Sequence, residues 1–122
     1  MTKHDHSHGP EVLDDLKQPS ADLRRLIPDV YAGYVAMSGA AMADGALDVR
    51  AKELIALAIA ISKQCDGCMA AHARGLVKAG ATDAEVAEAI GVAIMMNGGP
   101  GTVYGPRALA AFREFKEQST ES

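Results

Sequence analysis

"VRAKELIALAIAISKQCDGCMAAHARGLVKAG", Val49–Gly80, reads as two helices joined by a short turn that carries both cysteines of the chain. Asp48, just before it, suits an N-cap, because its carboxylate can accept from the unpaired N–H groups of a first helical turn. From Leu54 to Ile61 the first segment is apolar nearly all round, so this helix is expected to be buried on most sides, against the core and against an oligomer partner. Lys63 and Gln64 close it, and Asp66 and Gly67 supply turn chemistry. The second helix is then expected from Asp66 to Ala79, with Gly80 at its C-terminal end.

The flanks read the same way. "TDAE", Thr82–Glu85, fits a capping box, and Val86, Ile90, Ala93 and Ile94 mark the apolar face of the helix that follows. "NGGPGTVYGP", Asn97–Pro106, is expected to break that helix. A last helix from Gly105 to Lys116 would carry Leu109, Phe112 and Phe115, with "EQSTES" a frayed polar end. Upstream, Pro10 can open a short helix bearing Val12, Leu13 and Leu16 that Pro19 ends. Ser20 can cap a second short segment with Leu23, Leu26 and Ile27, and Pro28 starts a helix to about Ala43.

These patterns predict an all-α, single-domain bundle of about six helices. A chain of 122 residues fits one compact domain, expected over 20–118 behind a polar, partly disordered tail with a short helix over 1–19. Abundant Ala, Gly and Met with no Trp favour closely packed helices over a β-sandwich. A formal net charge of -4 leaves no electrostatic footprint for nucleic acid. The N-terminal stretch lacks the apolar core of a signal peptide, and Leu54–Ile61 is far shorter than the roughly 20 residues that span a bilayer. The chain is therefore expected in the cytoplasm with no membrane partner, where a C-x-x-C pair is more often redox-active or metal-bound than structural.

Cys65 and Cys68 fall across the start of the second helix. Unpaired N–H groups and the positive end of the helix dipole favour an anion there, so a thiol at that position ionises more readily. Cys68 and His72 are four residues apart and share a helical face, so the imidazole can hold or exchange the thiol proton. Cys65, one turn earlier, is near enough for a disulfide if the turn allows it. Nucleophile, base and resolving thiol are thus present together.

Other readings of the pair have to be weighed. Haem attachment needs His directly after the second cysteine, where Met69 stands. A thioredoxin-like site follows a strand, and this one follows a helix. Zinc could take Cys65, Cys68, His72 and a carboxylate, although no second close ligand pair is visible apart from His4, His6 and His8 in the tail. Those three histidines could chelate a divalent metal weakly, the plainer reading being a disordered tail. Two inert buried thiols would leave the spacing coincidental.

Glu53, Cys65, Cys68 and His72 together reproduce the E-x11-C-x2-C-x3-H pattern of the alkyl hydroperoxidase D and carboxymuconolactone decarboxylase superfamily. "KAGATDAEVAEAIGVAIMMNGGPGTVYGPRAL" also resembles its small one-domain members, so that the resemblance covers roughly Leu47 to Phe115. It implies an all-α fold assembled as a homotrimer or homohexamer and thiol-dependent reduction of a hydroperoxide, with no bound cofactor. On that resemblance Cys68 attacks the peroxide and becomes a sulfenic acid, Cys65 condenses with it, and His72 deprotonates the thiol with Glu53 in the proton relay. An external dithiol, a lipoyl-bearing protein in the best-known member, restores the pair. The residue before the second cysteine is often His in these peroxidases and is Gly67 here. The decarboxylase branch does not depend on a C-x-x-C pair, and its presence argues against lactone decarboxylation.

Glu53 raises a geometric problem. In a straight antiparallel hairpin it would lie about 20 Å from the turn and His72 about 9 Å, at 1.5 Å per residue. A relay then requires that the helices cross, that the first one bend, or that Glu53 come from a neighbouring subunit. The alternative is a solvated Glu53 paired with Arg50 or Lys52. Met95, Met96 and Tyr104 could line a substrate pocket, or simply fill core or interface. "GGPG", Gly98–Gly101, lacks the Lys-Ser/Thr of a phosphate loop and reads as an interhelical turn.

Overall fold

The computed structural model describes residues 7–121, which form six α-helices and, among those residues, no strand. They are α1 Pro10–Leu26, α2 Pro28–Met42, α3 Val49–Ser62, α4 Asp66–Lys78, α5 Asp83–Asn97 and α6 Gly99–Glu121. His4 and His6 lie outside the described residues, while the His8 backbone N–H donates to Glu114 Oε1 at 3.1 Å.

The helices α3, α4, α5 and α6 form the packed body. Leu57 and Ile61 of α3, Met69, Ala73 and Leu76 of α4, Val86 and Ile90 of α5, and Phe112 and Phe115 of α6 meet in one core. Small residues at Ala60, Ala70, Ala93, Ala108 and Ala111 sit between the larger ones and allow the axes to approach. Each large apolar side chain buried there contributes about 1.5–3 kcal/mol through removal from water. Local signals set the ends of these elements. Asp48 Oδ1 accepts from Ala51 N at 2.8 Å, and Thr82 and Glu85 form the reciprocal capping box expected of "TDAE".

Three expectations need correction. First, α1 runs through Pro19 as one helix, without a stop there and a new cap at Ser20. The proline removes one backbone bond, but Asp15, whose carbonyl it orphans, lies on the exposed side where water can replace the partner. Second, α6 begins at Gly99, six residues earlier than expected, and stays helical to Glu121. Only Gly98, at φ 66, interrupts the chain, because Pro100 falls in a first turn that needs no N–H. Third, "GGPG" does more than turn: a Cβ at Gly101 would come within 2.8 Å of Ile94 Cα, so this glycine lets α5 and α6 touch along their backbones. Within the single chain α3 is buried along one side. Leu57, Ala60 and Ile61 face the core, whereas Ile55 and Ile59 are about half exposed.

The helix α2 stands apart from the core. It has one charged residue, Asp29, yet none of its side chains is buried, and Val30, Tyr34, Val35 and Met37 are each more than 60% exposed. No helix among the described residues is long and apolar enough to cross a membrane.

Candidate functional site

The turn between α3 and α4 is made by Lys63, Gln64 and Cys65. Gln64 takes a left-handed conformation at φ 55, and Cys65 N–H reaches back to the Ala60 carbonyl at 3.1 Å. This reversal places Cys65 at the N-cap of α4, where its Sγ accepts from the Cys68 N–H at 3.2 Å. The two sulfurs are joined as a disulfide with Cα atoms 5.2 Å apart. Cys68 is exposed and Cys65 half-buried. The helix-start contact expected for the thiol pair therefore falls on Cys65, while Cys68 is the more exposed residue of the two.

One turn further along α4, His72 Nδ1 lies 2.6 Å from Glu53 Oε1 of the same chain. An ionised carboxylate can only accept, so Nδ1 is the donor to Glu53, and in the neutral form of the ring Nε2 is then the basic nitrogen. Glu53 is 14% exposed and His72 32%, so this is a shielded pair and not a solvated surface carboxylate. The expected alternative partners are engaged elsewhere: Arg50 lies 3.6 Å from Glu85, and Lys52 Nζ donates to the Ala43 carbonyl.

The helix-length problem thereby resolves within one subunit. Counted from Ser62, the last residue of α3, Glu53 stands about 14 Å up its helix and not about 20 Å, while His72 stands about 9 Å from Asp66. The remaining offset of about 5 Å is within the reach of two extended side chains. No second subunit is needed to bring Glu53 to His72.

Two residues that sequence reasoning passed over shape the site. Gly75 lies beneath the Glu53 carboxylate, and a Cβ built there would come 2.3 Å from Oε2. Leu16 of α1 lies against Gly67, with Cδ1 3.2 Å from where a Cβ would stand, so the place of the histidine often found before the second cysteine adjoins an apolar wall. The only available signal was a glycine inside each helical pattern, which marks a close approach without naming its partner. Met95 and Met96 are more than 70% exposed, and Tyr104 packs on the margin of the core. Among the described residues no three His, Cys, Asp or Glu side chains stand together as a metal-holding group: the two sulfurs are paired with each other and His72 with Glu53.

Chemically, the arrangement supplies a reversible two-electron couple at a helix start and an oriented imidazole one turn away. A protein-family model described as the carboxymuconolactone decarboxylase family matches residues 28–117. An uncharacterized protein encoded in the cox locus of Paracoccus denitrificans is 42% identical over 107 residues, covering 84% of this chain and 96% of that one. An uncharacterized protein of Cupriavidus necator is 35% identical over 100 residues, 82% of this chain and 88% of that one. The fold superimposes with a TM-score of 0.82 on the crystal structure of an apo carboxymuconolactone decarboxylase family protein from Legionella pneumophila, 44% identical, covering 84% of this chain and 92% of that one.

Proposed function

The chain belongs to the carboxymuconolactone decarboxylase family, and from that premise we propose that it is a thiol-dependent peroxidase and disulfide oxidoreductase acting through Cys65 and Cys68. The observation that carries the reading is the Glu53–His72 pair, in which Glu53 of α3 holds an imidazole on α4, the helix that has the cysteine pair at its start. A merely structural disulfide has no use for an oriented imidazole beside it.

In the reduced protein His72 Nε2 takes the Cys68 proton. The thiolate attacks one oxygen of a hydroperoxide, the S–O bond forms as the O–O bond breaks, and the alcohol leaves with a proton. Cys68 is then a sulfenic acid. The Cys65 sulfur displaces its hydroxyl, releasing water and closing the disulfide. An external dithiol, of the lipoyl or a similar class, attacks the sulfur of the exposed residue Cys68 and is itself oxidised as it returns two electrons. Cys65 leaves as the thiolate, stabilised by the Cys68 N–H. The working unit in this reading is a homotrimer or homohexamer whose contacts cover α2.

Peroxide consumption dependent on an added dithiol, measured beside metal analysis of freshly purified protein, tests the reading. Turnover that requires both cysteines is expected. Stoichiometric zinc without turnover would overturn it in favour of a non-enzymatic metal or redox-sensing module.

A further inference from the structure

Gly75 sits mid-helix in α4, three residues after His72, at a position where alanine would be the better helix former. The space its missing side chain leaves is filled. Oε2, the carboxyl carbon and Oε1 of Glu53 come within 2.3, 2.6 and 3.0 Å of where a Cβ would be. The same carboxylate meets His72 through Oε1. It therefore lies flat across the α4 backbone, resting on Gly75 while it holds the ring.

The surroundings determine what happens when that seat is filled. Glu53 and Gly75 both line an open cleft of ≈ 590 Å³, together with Asp44, Asp48, Val49, Arg50, Lys78 and Ala79. A carboxylate is the far end of a flexible side chain, and a methyl group at position 75 would push it outward without moving either helix. The cleft offers it room, with Lys78 and the Glu85-paired Arg50 on its lining beside Asp44 and Asp48. Losing the seat would thus cost the fold little and the His72 contact much.

We infer that Gly75 is a positioning residue of the thiol–imidazole site, acting through Glu53 to fix the tautomer and direction of the His72 ring. This rests on the proposed function, in which Nε2 of that ring takes the Cys68 proton. Because His72 and Gly75 lie on one helix, the device is local: Glu53 bridges a side chain and a bare stretch of backbone one turn apart.

The test uses the full chain, reduced, in wild-type form and as Gly75→Ala, Glu53→Gln, His72→Ala and the Gly75→Ala/Glu53→Gln double variant. Two quantities are read. One is the low-field proton signal of His72 Nδ1–H in histidine-labelled protein, which reports the bond to a carboxylate. The other is the rate at which Cys68 is alkylated by iodoacetamide across pH. Gly75→Ala is expected to lose the low-field signal and to slow alkylation by the same factor as Glu53→Gln, the double variant being no slower than either. A wild-type signal and rate in Gly75→Ala, with Glu53→Gln and His72→Ala impaired, overturns the inference and leaves the proposed function standing. If His72→Ala and Glu53→Gln alkylate like wild type, the proposed function fails instead, and the proton signal alone still decides whether Gly75 seats Glu53. Should Gly75→Ala not fold, Gly75→Ala/Glu53→Ala removes the clashing carboxylate. Its folding supports the inference, and its failure shows that packing needs the glycine regardless of Glu53, which overturns it.

Discussion

Glu53 and His72 are 19 residues apart in the chain and 2.6 Å apart in the fold, on facing turns of α3 and α4. The pair leaves one ring nitrogen available as a base and shields the carboxylate that orients it. His72→Ala should therefore slow the first reaction of Cys68 with peroxide, most visibly at lower pH, where the base is needed to keep a thiolate available. Glu53→Gln should cost less, since the imidazole remains but its orientation is lost. Stopped-flow peroxide kinetics on reduced protein check both. Equal rates for wild type and His72→Ala would remove the imidazole from the mechanism.

The two cysteines should behave differently. Cys65→Ser is expected to react once with peroxide and leave a trappable sulfenic acid on the exposed Cys68. Cys68→Ser should lose the fast reaction altogether. Mass spectrometry after a sulfenic-acid trap distinguishes them, and an undiminished rate with the label on Cys65 would reverse the roles.

Assembly is predicted from α2, a largely apolar helix of 15 residues that buries none of them within the chain. Light scattering at micromolar concentration should give three or six subunits, and a monomer would contradict this. Val35→Glu, placing a charge on that face, should lower the mass and make the unfolding midpoint depend on protein concentration.

The stability of the body should follow burial. Phe112, fully enclosed, should cost about 3–5 kcal/mol when replaced by alanine. Thr82→Ala, which removes one half of the capping box, should cost about 1 kcal/mol. Urea denaturation ranks the two, and a cap loss as large as the core loss would contradict the packing described above.

Acid should weaken the junction between α5 and α6. The hydrogen bond from Lys116, assisted by the charges of Lys116 and Arg113, holds the Asp83 carboxyl below its ordinary value of 3.8. A depressed carboxyl contributes stability above its unfolded value and loses it as pH falls through the lower folded value. The difference in unfolding midpoint between wild type and Asp83→Asn should thus be present at neutral pH, vanish well below pH 3.8, and shrink in salt because the pair is exposed. A difference unchanged by acid would assign it to something other than charge.

What the sequence determined by itself was everything that local chemistry decides. The helices α3, α4 and α5 were legible because caps at Asp48 and Thr82 and an apolar period act within a few residues. The placing of Cys68 and His72 on one helical face was legible because four residues along a helix is about one turn. Pro19 and the start of α6 were misread, since a proline ends a helix only when nothing compensates its missing bond, and that depends on surroundings. Only the tertiary structure decided that Glu53 reaches His72 within one chain, that Gly75 is empty to receive its carboxylate, that Leu16 stands against Gly67, and that α2 is left outside the core. Each of these turns on contacts made or not made between segments distant along the chain, set by how the helices dock on one another. A shift of a few ångströms in that register would break the pair and leave every local pattern unchanged.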